Sequence, residues 1–202
     1  MVINWYGEGC FKIQTGGLTL LVDPFLPSSG LTPPRFKADI TLHTTTALPL
    51  GEDDTAREGV IAGPGEYEIK GVSIHGWQIE STGAEIRSAY LVKTEDLSLA
   101  FLGSMSRTPS PELLEGAGGA EVLILPVGGD PFLDGAAAAK IVKQLSPKIV
   151  IPSFFKIPHL ARKADGVSSF LKELGQNAEP QEKIVIKKKE LPPSAHAVVL
   201  SV

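Results

Sequence analysis

A chain of 202 residues can bury a core of its own, and 43% hydrophobic with 21% charged residues is the balance of an ordinary globular protein. A net charge of −4 argues against nucleic acid as a partner, because binding phosphates takes a basic face, and no run approaches the roughly 18 apolar residues of a membrane span. A single cysteine, Cys10, excludes an internal disulfide and fits a reducing compartment; with no charged and then apolar leader after Met1, the expectation is a cytoplasmic protein of one domain over residues 1–202.

The first forty residues read as β-structure. The runs at 2–6 (VINWY), 10–15 (CFKIQT) and 18–24 (LTLLVDP) are apolar or alternate, and Thr15-Gly16-Gly17 is a hairpin signal between the last two. Residues 25–37, with their prolines and serines, read as a loop. A short strand over 38–43 then breaks into three threonines, a proline and an acidic cluster ending at Asp54. GVIAG (59–63) reads as a short buried strand, 63–67 as a turn, and 68–80 as alternating, half-buried antiparallel structure with Gly71 at a bend. Residues 87–103 read as a hairpin that turns at Glu95-Asp96.

From there the pattern changes. Ser110-Pro111-Glu112 is a helix start: a hydroxyl cap, a proline in the first turn and an acid near the positive end of the helix dipole. That helix is expected to end by Gly116–Gly119. EVLILPV (121–127) is nearly continuous in apolar residues, as strands buried on both faces are. Residues 133–145 predict a helix capped by Asp134, and 148–155 a second buried strand. Residues 163–174 predict an amphipathic helix, with Val167, Phe170, Leu171 and Leu174 on one side and Gly175 as its stop. KIVIKKK and HAVVLSV close the chain as strands, with Lys187–Lys189 read as a solvated strand end. A β-rich half is thus followed by a βαβα half, with no fixed short repeat.

Tyr6-Gly7-Glu8-Gly9-Cys10-Phe11, Gly16-Gly17 followed by Leu21-Val22-Asp23-Pro24-Phe25, Gly63–Glu68, Phe101-Leu102-Gly103, Val122–Gly129, Ala136–Ala139, Leu145–Lys148 and Ile151-Pro152 come in a telling order and spacing. Together they resemble the metallo-β-lactamase superfamily, and within it the ascorbate-6-phosphate lactonase-like group of zinc-dependent hydrolases. The resemblance covers nearly the whole chain. It implies an α/β (α+β) four-layer αββα sandwich with its site at one edge of the two packed sheets.

Hydrolases of that superfamily hold one or two metal ions with a His-x-His-x-Asp-His motif, and the ion lowers the pKa of a bound water. By this resemblance Thr45 and Ala47 stand at the first two histidines, and Pro49 and Leu50 at the aspartate and last histidine. Ser104 stands at the bridging aspartate, Phe154 at the late histidine and Glu8 at the histidine of the first strand. Threonine, alanine, proline, leucine and phenylalanine cannot replace imidazole on a divalent ion. Asp23 matches an aspartate that supports the family's metal shell, and His43 lies at the strand end beside it. Cys10 reads as a core thiol, and His75 and His196 as ordinary structural or surface residues.

Two readings follow. The first is a degenerate, metal-free protein with no cofactor, which binds a small molecule, another chain or its own copies through Glu8, Asp23, His43, Thr45, Ser104 and Phe154. Phe154 and Leu50 would fill part of the old site, and self-association is expected. The alternative is a metal-dependent hydrolase of the lactonase-like group, with zinc or manganese and a rebuilt site using Asp23, His43, Glu66 and His159. Whether those four side chains converge in space separates the two readings.

Overall fold

Alternation builds the first sheet. β1 (Val2–Trp5), β2 (Phe11–Thr15) and β3 (Leu18–Val22) form an antiparallel meander that buries Ile3, Trp5, Phe11, Ile13, Leu20 and Val22. The β2–β3 link is the two-residue turn Gly16–Gly17, with φ of 54° and 80°, a backbone hand that glycine adopts without strain. β4 (Ile40–His43) joins β3 in parallel, β6 (Val60–Ala62) joins β4 in parallel, and β13 (Lys183–Val185) closes the other side antiparallel to β1. The structure, a computed structural model, describes residues 1–25, 27–49 and 59–202; Leu50 and the acidic cluster Glu52–Asp54 therefore lie outside the described residues.

The second sheet runs β14 (His196–Ala197), β12 (Ile149–Ser153), β11 (Val122–Pro126), β10 (Ser98–Phe101), β9 (Glu85–Lys93), β8 (Val72–Ser81), β7 (Gly65–Ile69), and β5 (Thr45–Ala47) also pairs with β9. β10, β11, β12 and β14 are parallel neighbours. Every residue of β11 and β12 is buried, as their continuous apolar runs predict for strands covered on both faces. α1 (Pro111–Ala117) packs against β9 and α2 (Gly135–Leu145) against β11, with α3 (Ser168–Leu174) against α2. The buried residues of both sheets join in one hydrophobic core. This mixed α/β arrangement of two packed sheets is the αββα sandwich expected from the sequence.

The helix caps are those expected. The Ser110 hydroxyl accepts from the Leu113 N–H at 3.2 Å, and the Asp134 carboxylate accepts from the Ala137 N–H at 2.8 Å. Three elements differ from expectation. Thr45–Ala47, read as broken loop, is a strand, because β9 supplies it with backbone partners that local composition does not reveal. The helix expected from residue 163 begins at Ser168. Asp165 is held instead by its N–H to the Gly128 carbonyl and by its own carbonyl to the Lys156 N–H, both 2.8 Å, so neither group joins a helical ladder. The run KIVIKKK yields only β13 before a 3-10 turn at Lys188–Glu190. No described helix is long and apolar enough to cross a membrane.

A candidate active-site cleft

The C-terminal ends of β3, β4, β10 and β12 and the turn after β1 meet at one edge of the sandwich, the place where α/β folds usually put their chemistry. They enclose an open cleft of about 360 Å³. Glu8, Asp23, His43, Thr45, Ser104 and Phe154 all line it, so the six residues picked out in the sequence as one site do share one surface. Glu66 and His159 do not. Glu66 is 83% exposed on β7 beside His75, at 3.3 Å. His159 is exposed on a loop that borders a different groove. The four-residue constellation of the alternative reading is therefore corrected to Asp23 and His43 alone. A strand-end position is visible in sequence, but the direction of a loop is not.

Asp23 is placed by the parallel pairing of β3 and β4. Its N–H continues the ladder to the Leu42 carbonyl at 2.9 Å, and its backbone then turns at φ 43°. That aims the carboxyl at the end of β4, where it accepts from the Thr44 N–H at 2.6 Å and from the Thr44 hydroxyl at 2.5 Å. The residue as a whole is part-exposed, but the carboxyl itself is enclosed. Burial pushes its pKa up to about 6, against the opposing pull of the two Thr44 bonds. Gly9 completes the enclosure. A Cβ there would stand 2.8 Å from both Asp23 Oδ2 and the Phe154 ring, so only glycine lets these two groups approach. Burial also drives the neighbouring Cys10 thiol up to about 12, in keeping with an inert core residue.

The hydroxyl pair arises from the sheet. β9 is flanked on one side by β8; on the other, β10 pairs with its second half and β5 with its first. β5 therefore takes over where β10 ends, which brings the Thr45 and Ser104 hydroxyls to 2.9 Å. Arg87, opposite Thr45 in the ladder, also reaches the cleft, held by Glu85 at 2.7 Å and Glu80 at 3.2 Å. The His43 carbonyl accepts from the buried Tyr90 hydroxyl at 3.1 Å, which fixes the backbone at the end of β4.

The far wall is an ion pair. Arg162 donates from Nε to Glu8 Oε1 and from Nη2 to Glu8 Oε2, both at 2.8 Å, and from Nη2 to the Phe154 carbonyl. Its guanidinium lies 4.9 Å from the Phe132 ring centroid, and Phe132 packs on Phe154 at 4.5 Å. Arg162, Arg87 and Phe132 were not singled out in the sequence; Arg162 is separated from Glu8 by 154 positions, with no local pattern to link them. Glu8 (φ 50°), Asp23 (φ 43°) and Phe154 (φ 57°) all hold left-handed backbone, and a cluster of that kind is common at functional sites. Phe154 is 8% exposed and fills the wall as expected. Phe154→His should therefore lower the stability by about 2 kcal/mol in urea titration, since it removes packed apolar surface; an unchanged midpoint would mean that the ring is not packed.

An αββα sandwich with its polar groups gathered at one sheet edge defines the class of metallo-β-lactamase-like proteins. The chain belongs to that superfamily: residues 2–153 match the family described as Beta-lactamase superfamily domain. It is similar to a UPF0173 protein of Pyrococcus abyssi, 25% identical over 77% of this chain and 83% of that one. A UPF0173 metal-dependent hydrolase of Listeria welshimeri is 24% identical over 89% of this chain and 100% of its own. A candidate Zn-dependent hydrolase of the metallo-β-lactamase superfamily from Thermotoga maritima superposes with a TM-score of 0.81, at 27% identity, over 98% of this chain and 97% of that one.

These similarities correct the leading expectation from the sequence. A degenerate, metal-free protein that acts only by binding, with no cofactor, is overturned by relatives over most of both chains that are named metal-dependent hydrolases. The implied ion can be tested against the donors present. Asp23 and His43 line the cleft, but the carboxylate of Glu8 is already bound by Arg162, and among the described residues no three His, Cys, Asp or Glu side chains group closely enough to hold an ion. An ion held by the protein alone takes about three or four such ligands. The described residues do not fit one.

Proposed function

We propose that the chain is a hydrolase whose reaction centre is the Asp23–His43–Thr45–Ser104 cleft, with an ester or lactone as substrate. The observation that carries this reading is the enclosed Asp23 carboxyl, pushed up to about 6 beside a pair of hydroxyls in an open cleft. The names of the relatives support the reaction class. A carboxylate of that pKa is mostly ionised at neutral pH yet basic enough to take a proton from water, which is the match a general base needs. Thr44 holds the carboxyl from one side. The water oxygen attacks the substrate carbonyl carbon as Asp23 receives the water's proton. The Thr45 and Ser104 hydroxyls, close to one another, donate to the oxygen that gains charge. When the acyl–oxygen bond breaks, Asp23 returns the proton to the leaving oxygen, so the carboxylate is regenerated. A cytoplasmic setting belongs to the same proposal, supported by the one buried, unpaired Cys10.

The test is hydrolysis of 4-nitrophenyl acetate and δ-valerolactone, with zinc or manganese salts added in parallel. Wild-type turnover above the buffer rate is expected, and Ser104→Ala should lower kcat about 10- to 100-fold with less change in KM. Equal turnover by the wild type and Ser104→Ala would remove the hydroxyl pair from the mechanism. No turnover of any ester or lactone would overturn the reading.

A further inference from the structure

Phe154 and Phe155 are consecutive but serve different surfaces: Phe154 lines the cleft, and Phe155 lines a separate groove of about 1380 Å³. The groove forms where the ends of β1 and β12 meet the segment 30–35 and the last residues of the described chain. Trp5 and Phe155 pack with centroids 4.7 Å apart, and the Ala161 N–H donates to the Ser29 carbonyl at 3.2 Å, tying the two loops that form its sides. Its apolar lining includes Trp5, Tyr6, Leu31, Ile157, Val199 and Leu200. Arg35, Lys156 and His159 also line it, and none of these three side chains has a hydrogen-bond or ion-pair partner among the described residues. The one carboxylate side chain in the lining, Glu182, lies on the β13 side beside Asn4.

We propose that this groove is a binding site for an amphiphilic anion, a free fatty carboxylate of medium chain length. An apolar floor with a few polar groups to fix orientation is the usual form of a small-molecule site. Here the hydrocarbon chain lies over Leu31, Phe155 and Ile157. The head group meets the unpartnered Arg35 and Lys156, one on each of the two tied loops. Arginine and lysine stems also continue the apolar surface up to the charged tips. This site is separate from the hydrolase reading, because occupancy is measured without turnover.

Isothermal titration with decanoate, acetate and decyltrimethylammonium is the experiment. Saturable binding of decanoate at one site per chain is expected, with no binding of acetate and at least about tenfold weaker binding of the cationic amphiphile. Arg35→Ala/Lys156→Ala should weaken decanoate roughly five- to tenfold at an unchanged melting temperature, since both side chains are exposed. Ile157→Asp should remove binding. Equal affinity for the two amphiphiles, decanoate binding that ignores the double variant, or no saturation below the micellar concentration would overturn the proposal. So would sedimentation showing a dimer that Ile157→Asp turns into monomer, because the groove would then be covered by a second copy of the chain.

Discussion

Asp23→Asn is expected to slow hydrolysis severely and, at the same time, to make the protein more stable at pH 8. Both effects come from the same burial. The carboxyl is carried from 3.8 to about 6 because its charged form is desolvated, and the two Thr44 bonds recover only part of that cost. Between roughly pH 4 and pH 6 the folded protein therefore keeps a proton that the unfolded chain has released. Folding takes up a proton in that window, so stability falls as pH rises through it and then levels off. The rise to about 6 corresponds to about 3 kcal/mol at neutral pH and above. Asparagine carries no charge to desolvate. Its Oδ1 still accepts the Thr44 N–H, and its amide nitrogen donates to the Thr44 hydroxyl. Urea titrations should show the variant about 2–3 kcal/mol more stable than the wild type at pH 8, with the two converging below pH 4. Loss of a general base lowers kcat by about 10²- to 10⁴-fold. A variant that is less stable than the wild type at pH 8 would show that the Asp23 charge is compensated, and full activity would exclude it as the base.

Arg162→Ala should be the most destabilising single change at the cleft. The guanidinium makes a two-pronged contact with Glu8, donates to the Phe154 carbonyl and covers the Phe132 ring. The Arg162 and Glu8 side chains are 24% and 17% exposed, so the pair is screened by water only in part. Truncation leaves a carboxylate and a carbonyl with fewer donors in a half-buried site, at an expected cost of about 2–4 kcal/mol in the urea midpoint. Most of that is the penalty of stranding the partner rather than the worth of the pair. Glu8→Gln/Arg162→Met should therefore regain at least half of the loss, and a double-mutant cycle separates the two contributions. A cost under about 1 kcal/mol for Arg162→Ala would place the pair among ordinary solvated surface bridges.

What the sequence determined by itself is local. Alternation placed β1 to β3, the glycine pair placed their turn, and hydroxyl and carboxylate caps placed the starts of α1 and α2. Continuous apolar runs marked β11 and β12 as covered on both faces. Asp23 and His43 could be read as site residues through the resemblance to the superfamily, which matches Asp23 to an aspartate of the metal shell and sets His43 beside it at a strand end. Partnership at a distance belongs to the tertiary structure. β5 exists because β9 offers an edge beyond the end of β10, and the same registration brings Thr45 to Ser104. Glu66 and His159 carry the right chemistry but sit on a hairpin and a loop that point elsewhere. Glu8 finds Arg162 across 154 positions, just before the segment read as a helix from residue 163, where Asp165 is tied instead to Gly128 and Lys156. Periodicity and capping act within a few residues and are written in the chain, whereas burial and charge pairing depend on which segments the fold brings together.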